Sequence, residues 1–90
     1  MLYMVVERFR DHDAAPVYRR FRERGRMMPE GLRYVNSWVG AGLDRCFQLM
    51  ECDDPRLLEQ WAALWEDLVD FEFVPVVSSA EAAARVAPRL

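Results

Sequence analysis

Residues 31–50 read GLRYVNSWVGAGLDRCFQLM, and this stretch decides the fold. Two runs rich in aromatic and β-branched residues flank a short turn that contains Gly40 and Gly42, which is typical of a β-hairpin. This turn predicts a register in which Gly40 pairs with Leu43. The facing pairs in that register are Trp38 with Arg45, Asn36 with Phe47 and Tyr34 with Leu49. A one-residue bulge would give one of the two strands different partners.

Both faces of the predicted hairpin contain large apolar side chains. Side chains alternate between the two faces of a strand. One face therefore carries Leu32, Tyr34, Asn36, Trp38, Arg45, Phe47 and Leu49. The other face carries Arg33, Val35, Ser37, Val39, Cys46, Gln48 and Met50. A sheet with one solvated face has polar residues on that side, so we expect each face of this sheet to be covered.

The segments around the hairpin show two further strands and three helices. Apolar β-rich runs predict strands at 2–8 and 70–77, and Pro75 indicates that the second of these is an edge strand. Apolar residues at helical spacing predict helices at 14–24 and 55–67, and a short helical tail is predicted at 79–87. The residues that indicate the helix ends are Asp13, Gly25, Asp54, and Ser78 with Glu81.

The predicted order is strand, helix, strand, strand, helix, strand. This order is typical of an α+β domain of the ferredoxin-like βαββαβ type, with a four-stranded antiparallel sheet and two helices on one face. Residues 1–90 form one such domain. The first helix is basic and the second is acidic, so the two are expected to attract each other weakly as neighbours. The helix-free face is apolar as well, and an apolar face of this size is rarely left in water. We therefore expect a second copy of the chain to cover it, which would make the protein a homodimer.

Composition excludes several classes of function. The net charge of −3 argues against a nucleic-acid partner. No apolar run is long enough to cross a bilayer, and the N-terminus has no basic region before an apolar core, so we expect a cytoplasmic protein without a membrane partner. Cys46 and Cys52 form no recognisable motif and are expected to be reduced. His12 is the only histidine, so no metal-ligand set is expected.

The candidate binding residues are polar or aromatic residues of the hairpin and the second helix. Asn36 is placed by the predicted register beside Tyr34 and Trp38, and asparagine is disfavoured in strands. Either it orients a ligand in an aromatic pocket, or it bonds a neighbouring group or lies exposed. Gln48 is a second candidate, although a local hydrogen bond to Ser37 also explains it. No catalytic residue is assigned.

The second helix contributes Trp61, which lies one helical turn from Trp65. We expect these indoles to be core residues or the roof of a cavity between sheet and helices. A platform for stacking nucleic-acid bases is the less favoured interpretation. The predicted ligand-binding set is therefore Asn36, Trp38, Tyr34, Gln48 and Trp61.

Several segments resemble a known family. They are MLYMVVERF, VYRRF, GRMMPEGLRYVNSW, RCFQLME and FEFVPVVSS, together with the two tryptophans of the second helix. The chain is similar to the bacterial domain-of-unknown-function family 3303 up to about Ala84. This resemblance implies a ferredoxin-like fold of the dimeric α+β barrel type and implies no activity. Dimeric α+β barrels include cofactor-independent monooxygenases, haem-degrading enzymes and isomerases, which is an analogy of fold alone.

Two hypotheses follow from these features. In the first, a homodimer binds a small apolar molecule in a sheet–helix cavity, with monooxygenase-like or isomerase-like turnover that needs no cofactor. In the second, the chain is a non-catalytic dimerisation or interaction module, and every aromatic residue is packing.

Overall fold

The computed structural model describes residues 1–90 and contains four strands and three α-helices. The strands are β1 (Leu2–Phe9), β2 (Arg33–Val39), β3 (Arg45–Glu51) and β4 (Val69–Val76). The helices are α1 (Ala15–Arg24), α2 (Arg56–Ala63) and α3 (Ser79–Val86). All neighbouring strands are antiparallel, and their order in the sheet is β2-β3-β1-β4. The predicted ferredoxin-like α+β fold is confirmed, and Pro75 lies on the edge strand β4, as predicted.

Short polar side chains fix the starts of the helices. Asp13 Oδ1 accepts a hydrogen bond from the backbone nitrogen of Ala15 at 3.0 Å, and Asp54 Oδ1 accepts one from Arg56 at 3.0 Å. Ser78 Oγ accepts from the backbone nitrogen of Glu81 at 3.0 Å, as in the predicted capping box. Each bond satisfies a donor that the first helical turn leaves unpaired.

The second helix is shorter than the predicted range 55–67. It ends at Ala63, after which the backbone nitrogens of Leu64 and Trp65 bond to carbonyls three residues earlier. Such bonds tighten the chain relative to an α-helix. The tighter turns leave Leu64 exposed and keep Trp65 buried before β4 begins.

The hairpin register differs from the predicted one by two residues. The Gly40 backbone nitrogen donates to the Arg45 carbonyl at 2.8 Å, so the loop is longer than a two-residue turn. Leu43 lies inside this loop with φ of 61°, a left-handed conformation that the sequence does not signal. Trp38 consequently faces Phe47, and the predicted pairing of Trp38 with Arg45 is wrong.

The remaining hairpin pairs are corrected in the same way. Asn36 faces Leu49 rather than Phe47, and a register irregularity between Tyr34 and Asn36 lets Tyr34 face Met50 rather than Leu49. A shift of two residues keeps each side chain on its face, whereas a bulge exchanges the faces. The bulge therefore moves Tyr34 to the face opposite Asn36.

The helix-covered face of the sheet contains the core. Val5 and Met50 from the strands are fully buried against Leu58 and Trp61 of α2. Helix α1 has no buried residue, and Val17 is a partly buried residue that packs against this core. α1 thus covers the sheet without filling the space beneath it.

The opposite face, called the open face below, has no helix against it. Its apolar residues are Leu2, Met4, Val6, Trp38, Phe47, Leu49, Val74 and Val76. Trp38 is 51% exposed and Val74 is 37% exposed. This face is therefore an apolar surface accessible to solvent.

Charged contacts link α1 to the segment after α2. Arg20 donates to both carboxylate oxygens of Asp67, at 2.7 and 2.6 Å, and to the Leu64 carbonyl at 3.0 Å. The expected attraction between basic α1 and the acidic segment predicted as a helix at 55–67 is thus seen as one bidentate pair, Arg20 with Asp67. No helix in the structure has the length and apolar character that crossing a membrane requires.

Candidate functional site

A cavity of about 110 Å³ lies between α1 and the helix-covered face of the sheet. Its apolar wall is formed by Phe9, Val17, Tyr18, Phe21, Trp61 and Trp65. The polar groups that reach it include Glu7, Gln48, Arg26 and Cys46. A mostly apolar wall with a few polar groups is the usual composition of a small-molecule site.

Glu7 and Gln48 are the buried polar residues of the chain, at 5% and 7% exposure. Gln48 Nε2 donates a hydrogen bond to Glu7 Oε2, and Arg26 Nε donates to Gln48 Oε1 at 3.2 Å. An arginine has donors only, so it must face the amide oxygen, and the amide NH₂ must then face the carboxyl group. The three side chains form a chain of hydrogen bonds along one wall of the cavity.

Burial changes the acid–base properties of this cluster. Desolvation raises the pKa of Glu7 from 4.5 to about 7, although hydrogen bonds from Gln48 and Cys46 and the charge of Arg26 lower it. Burial, followed by the charge of Glu7, raises the pKa of the Cys46 thiol to about 12. Desolvation is also the main cause of a raised pKa at Tyr18. The carboxyl group of Glu7 is therefore poised to exchange a proton near neutral pH, whereas the thiol stays protonated.

Arg26 is held by its backbone and its side chain. Its carbonyl oxygen accepts hydrogen bonds from the indole nitrogens of Trp61 at 2.9 Å and Trp65 at 3.1 Å. Its guanidinium carbon lies 3.8 Å from the ring centroid of Tyr34 and 5.0 Å from that of Phe21. The aromatic contacts hold a cation at the cavity by cation–π attraction, and no carboxylate lies within ion-pair distance of it.

Three of the predicted ligand-binding residues lie in or beside this cavity. Gln48 and Trp61 line it. Tyr34 contacts Arg26 through its ring, and its hydroxyl oxygen lies 2.6 Å from Ser37 Oγ, which also lines the cavity. The predicted local bond between Gln48 and Ser37 is replaced by the bonds of Gln48 to Arg26 and Glu7. Ligand binding by these residues stays a prediction.

Asn36 and Trp38 are not brought into the cavity. They face Leu49 and Phe47 on the open face, so their predicted location between sheet and helices is wrong. The reason is the alternation of β2, in which Ser37 points to the cavity and both neighbours point away. Asn36 is exposed, and its Oδ1 accepts a hydrogen bond from the Ser37 backbone nitrogen at 2.8 Å. This local bond accounts for the asparagine without a ligand.

Glu7 and Arg26 are the site residues that the sequence prediction missed. A signal for Glu7 exists, because it shares its strand parity with Tyr3, Val5 and Phe9, all of which are buried. A carboxyl group at a core position of an apolar strand indicates either a partner or a function. Arg26 lies in the irregular connection between α1 and β2, where no sequence periodicity indicates which way a side chain points.

The polar groups of the cavity do not form a metal site. No group of three or more histidine, cysteine, aspartate or glutamate side chains converges anywhere in the structure. Cys46 and Cys52 are both free and buried. The chemistry available to the cavity is that of one carboxyl group, one amide, one guanidinium group, the Cys46 thiol, the hydroxyls of Ser37 and Tyr18, and an aromatic wall.

Comparison with known proteins gives one family. The model of the family "Domain of unknown function (DUF3303)" matches residues 1–90, which extends the resemblance beyond Ala84 to the whole chain. The chain belongs to this family. No curated protein and no solved structure is significantly similar to it.

Proposed function

We propose that this member of the DUF3303 family binds a small, largely apolar molecule in the cavity between α1 and the sheet. The observation that carries the proposal is the buried carboxyl group of Glu7 at the wall of an aromatic cavity. A buried ionisable group costs free energy, so its presence in a domain of 90 residues calls for a compensating role. Perturbed carboxyl groups in clefts are enriched at functional sites.

The size and polarity of the cavity define the ligand class. A cavity of about 150 Å³ accommodates a benzene ring in another protein, so about 110 Å³ with an opening to solvent suits a molecule with one ring. The apolar body of the ligand would contact Val17 and Phe21. One polar substituent would hydrogen-bond to Glu7 or Arg26 and fix the orientation of the ring.

Thermal denaturation with single-ring probes tests this proposal. Phenol, cyclohexanone and benzamide are added separately, and a ligand that binds only the folded state raises the melting temperature. The variant Val17→Phe fills the cavity and should abolish the rise in melting temperature. The matched control Val86→Phe places the same ring on exposed α3 and should retain it.

Two results would contradict cavity binding. One is the absence of any rise in melting temperature with all three probes. The other is an equal rise in the Val17→Phe variant and in the wild-type chain, which would place the bound probe outside the cavity.

A second proposal concerns the open face, which we propose is covered by a second copy of the chain. Its centre is apolar, and its charged rim contains three arginines and three acids: Arg8, Arg33, Arg45, Glu51, Asp70 and Glu72. Within the rim, Arg33 is paired with Glu51 and Arg8 lies 3.5 Å from Glu72. A rim without net charge lets two identical faces approach without repulsion. This observation also supports the alternative function, a non-catalytic dimerisation module.

Light scattering measures the mass of the protein in solution and so distinguishes a monomer from a dimer. A dimer has twice the mass of the 10.6 kDa chain. Trp38→Glu places a charge among the apolar residues of the open face, on edge strand β2, and should shift the protein to monomer, because desolvating that charge is costly. Leu64→Glu is the control, since Leu64 is 48% exposed and lies away from the open face. A wild-type monomer at micromolar concentration would refute the dimer.

A further inference from the structure

We propose that the cavity is a proton-transfer site, in which Glu7 moves a proton between two carbons of a small cyclic ketone and Arg26 binds the carbonyl oxygen. The substrate class is an unsaturated ketone with one ring, and the reaction is the migration of its double bond. This inference rests on the proposed function, because it requires a ligand in the cavity.

The side-chain amide of Gln48 indicates how such a ligand would lie between Arg26 and Glu7. It joins Arg26 to Glu7 through the atom sequence O=C–N–H, with the oxygen on the guanidinium group and the hydrogen on the carboxyl group. The reacting unit of a ketone, O=C–C–H, has the same order of atoms and nearly the same length. A ketone parallel to this amide would therefore place its oxygen at Arg26 and its acidic C–H at Glu7.

Both end groups retain atoms for a second partner. Gln48 uses Oε2 of Glu7, and Oε1 accepts no hydrogen bond from a nitrogen or hydroxyl donor. Arg26 donates a hydrogen bond within the protein only through Nε, so both terminal nitrogens of its guanidinium group can bind a carbonyl oxygen. Apart from the weak hydrogen bond of the Cys46 thiol to Glu7, the cavity thus offers a carboxylate oxygen as an acceptor and two guanidinium nitrogens as donors.

The fixed position of Arg26 suits the charge that develops in the reaction. Removing a proton next to a carbonyl group moves negative charge onto the oxygen, and a preorganised cation at that oxygen stabilises the transition state. The guanidinium group lies over the rings of Tyr34 and Phe21, and the two indoles anchor the Arg26 backbone. The near-neutral pKa of Glu7 supports the same role, because a general base works best near the operating pH.

The reaction balances without a co-reactant. The C–H bond between the carbonyl group and the double bond breaks, its proton goes to Glu7, and its electron pair enters a dienolate. A new C–H bond then forms at the far end of the former double bond with the same proton or its exchanged equivalent. The double bond becomes conjugated with the carbonyl group, and no atom is oxidised or reduced overall.

Conversion of 3-cyclohexen-1-one into 2-cyclohexen-1-one tests the inference on the full chain. The product is a conjugated enone, so its ultraviolet absorbance reports the rate, and proton NMR in deuterated water reports exchange at the reacting carbons. Glu7→Gln removes the base and should lower the rate by about 100-fold or more. Arg26→Met removes the cation and should lower the rate by about 10-fold or more.

Matched variants control for folding and for general charge effects. Glu59→Gln and Arg24→Met make the same changes at exposed positions outside the cavity, and both should retain the wild-type rate within two-fold. Thermal denaturation of each variant confirms that it is folded. Binding of unreactive cyclohexanone is measured in parallel by the shift in melting temperature.

The outcomes separate this inference from the proposed function. If cyclohexanone binds but the wild-type rate equals that of Glu7→Gln, proton transfer is refuted and ligand binding stands. If neither cyclohexanone binding nor isomerisation is seen, both proposals fall. A rate that depends on Glu7 and Arg26 but not on Glu59 and Arg24 supports the proton-transfer site.

Discussion

Replacing Glu7 with glutamine removes the only buried carboxyl group of the chain and should make folding less dependent on pH. The pKa of Glu7 is about 7 in the folded state against 4.5 in the absence of the fold. At about 1.4 kcal/mol per pH unit, this difference corresponds to roughly 3 kcal/mol of unfolding free energy. For a domain of this size, that energy corresponds to a change of about 12–24 °C in melting temperature.

The sign of the effect follows from which state binds the proton more tightly. Below pH 4.5 the carboxyl group is neutral in both states, and Glu7 causes no loss of stability. As the pH rises from 4.5 to about 7, the unfolded chain ionises while the folded chain keeps its proton, so the unfolding free energy falls. Above about pH 7 the loss is complete.

The other groups that face Glu7 do not reproduce this titration. The Cys46 thiol, with a pKa of about 12, and the Tyr18 hydroxyl, with a raised pKa, stay neutral between pH 4.5 and 8. Arg26, the other charged group that acts on Glu7, is present in both chains. The difference in stability between the wild-type chain and Glu7→Gln therefore isolates the carboxyl group of Glu7.

Urea denaturation at half-unit steps from pH 4.5 to 8 measures this difference. Near pH 4.5 the two chains should have similar unfolding free energies, and above pH 7 Glu7→Gln should be the more stable by roughly 3 kcal/mol. Glu59→Gln, on the exposed surface of α2, should follow the wild-type chain. A difference between wild type and Glu7→Gln that stays constant with pH would refute the reasoning, because Glu7 would then titrate alike in both states.

Three further predictions concern the backbone and the open face. In urea denaturation, Gly31→Ala should lower the unfolding free energy by about 1–3 kcal/mol and Gly25→Ala by about 1 kcal/mol. Both glycines have positive φ, which strains an alanine, but only at Gly31 would the added Cβ lie 3.1 Å from Leu57. Asn36→Leu should leave probe binding in the cavity unchanged and change stability by less than about 1 kcal/mol, as measured by thermal shift. Ser78→Ala should reduce the helical circular dichroism signal of α3 without lowering the main melting transition, since α3 has no buried residue.

The fold follows from the sequence because its signals are local and mutually consistent. Three local signals act within a few residues, and the structure contains each of them. They are the hydrogen-bonding side chains before each helix (Asp13, Asp54 and Ser78), the alternation in the strands, and Pro75 at an edge. The hairpin register depends instead on the left-handed conformation of Leu43. The loop also makes a long-range bond next to Leu43, in which the Phe9 backbone nitrogen donates to the Asp44 carbonyl at 3.0 Å. No local pattern contains this bond.

The site is predictable from the sequence only where it lies on regular elements. Gln48 could be placed on the face shared with Cys46 and Met50, because β3 alternates regularly. Tyr34 was misplaced by the bulge, and Arg26 lies in a connection whose course is set by hydrogen bonds to Trp61 and Trp65. Positions on irregular backbone depend on tertiary contacts, so they become visible only in the structure.

The location of the cavity explains why the irregular connection matters for function. Helix α1 contributes no buried residue, and its Val17 packs against the core as a partly buried side chain. The Arg26 carbonyl, just after α1, accepts hydrogen bonds from the indoles of Trp61 and Trp65. Arg20 of α1 donates to Asp67. These polar contacts hold α1 over the sheet while the space beneath it stays open. Apolar contacts large enough to fix α1 by packing would fill the same space and remove the site around Glu7.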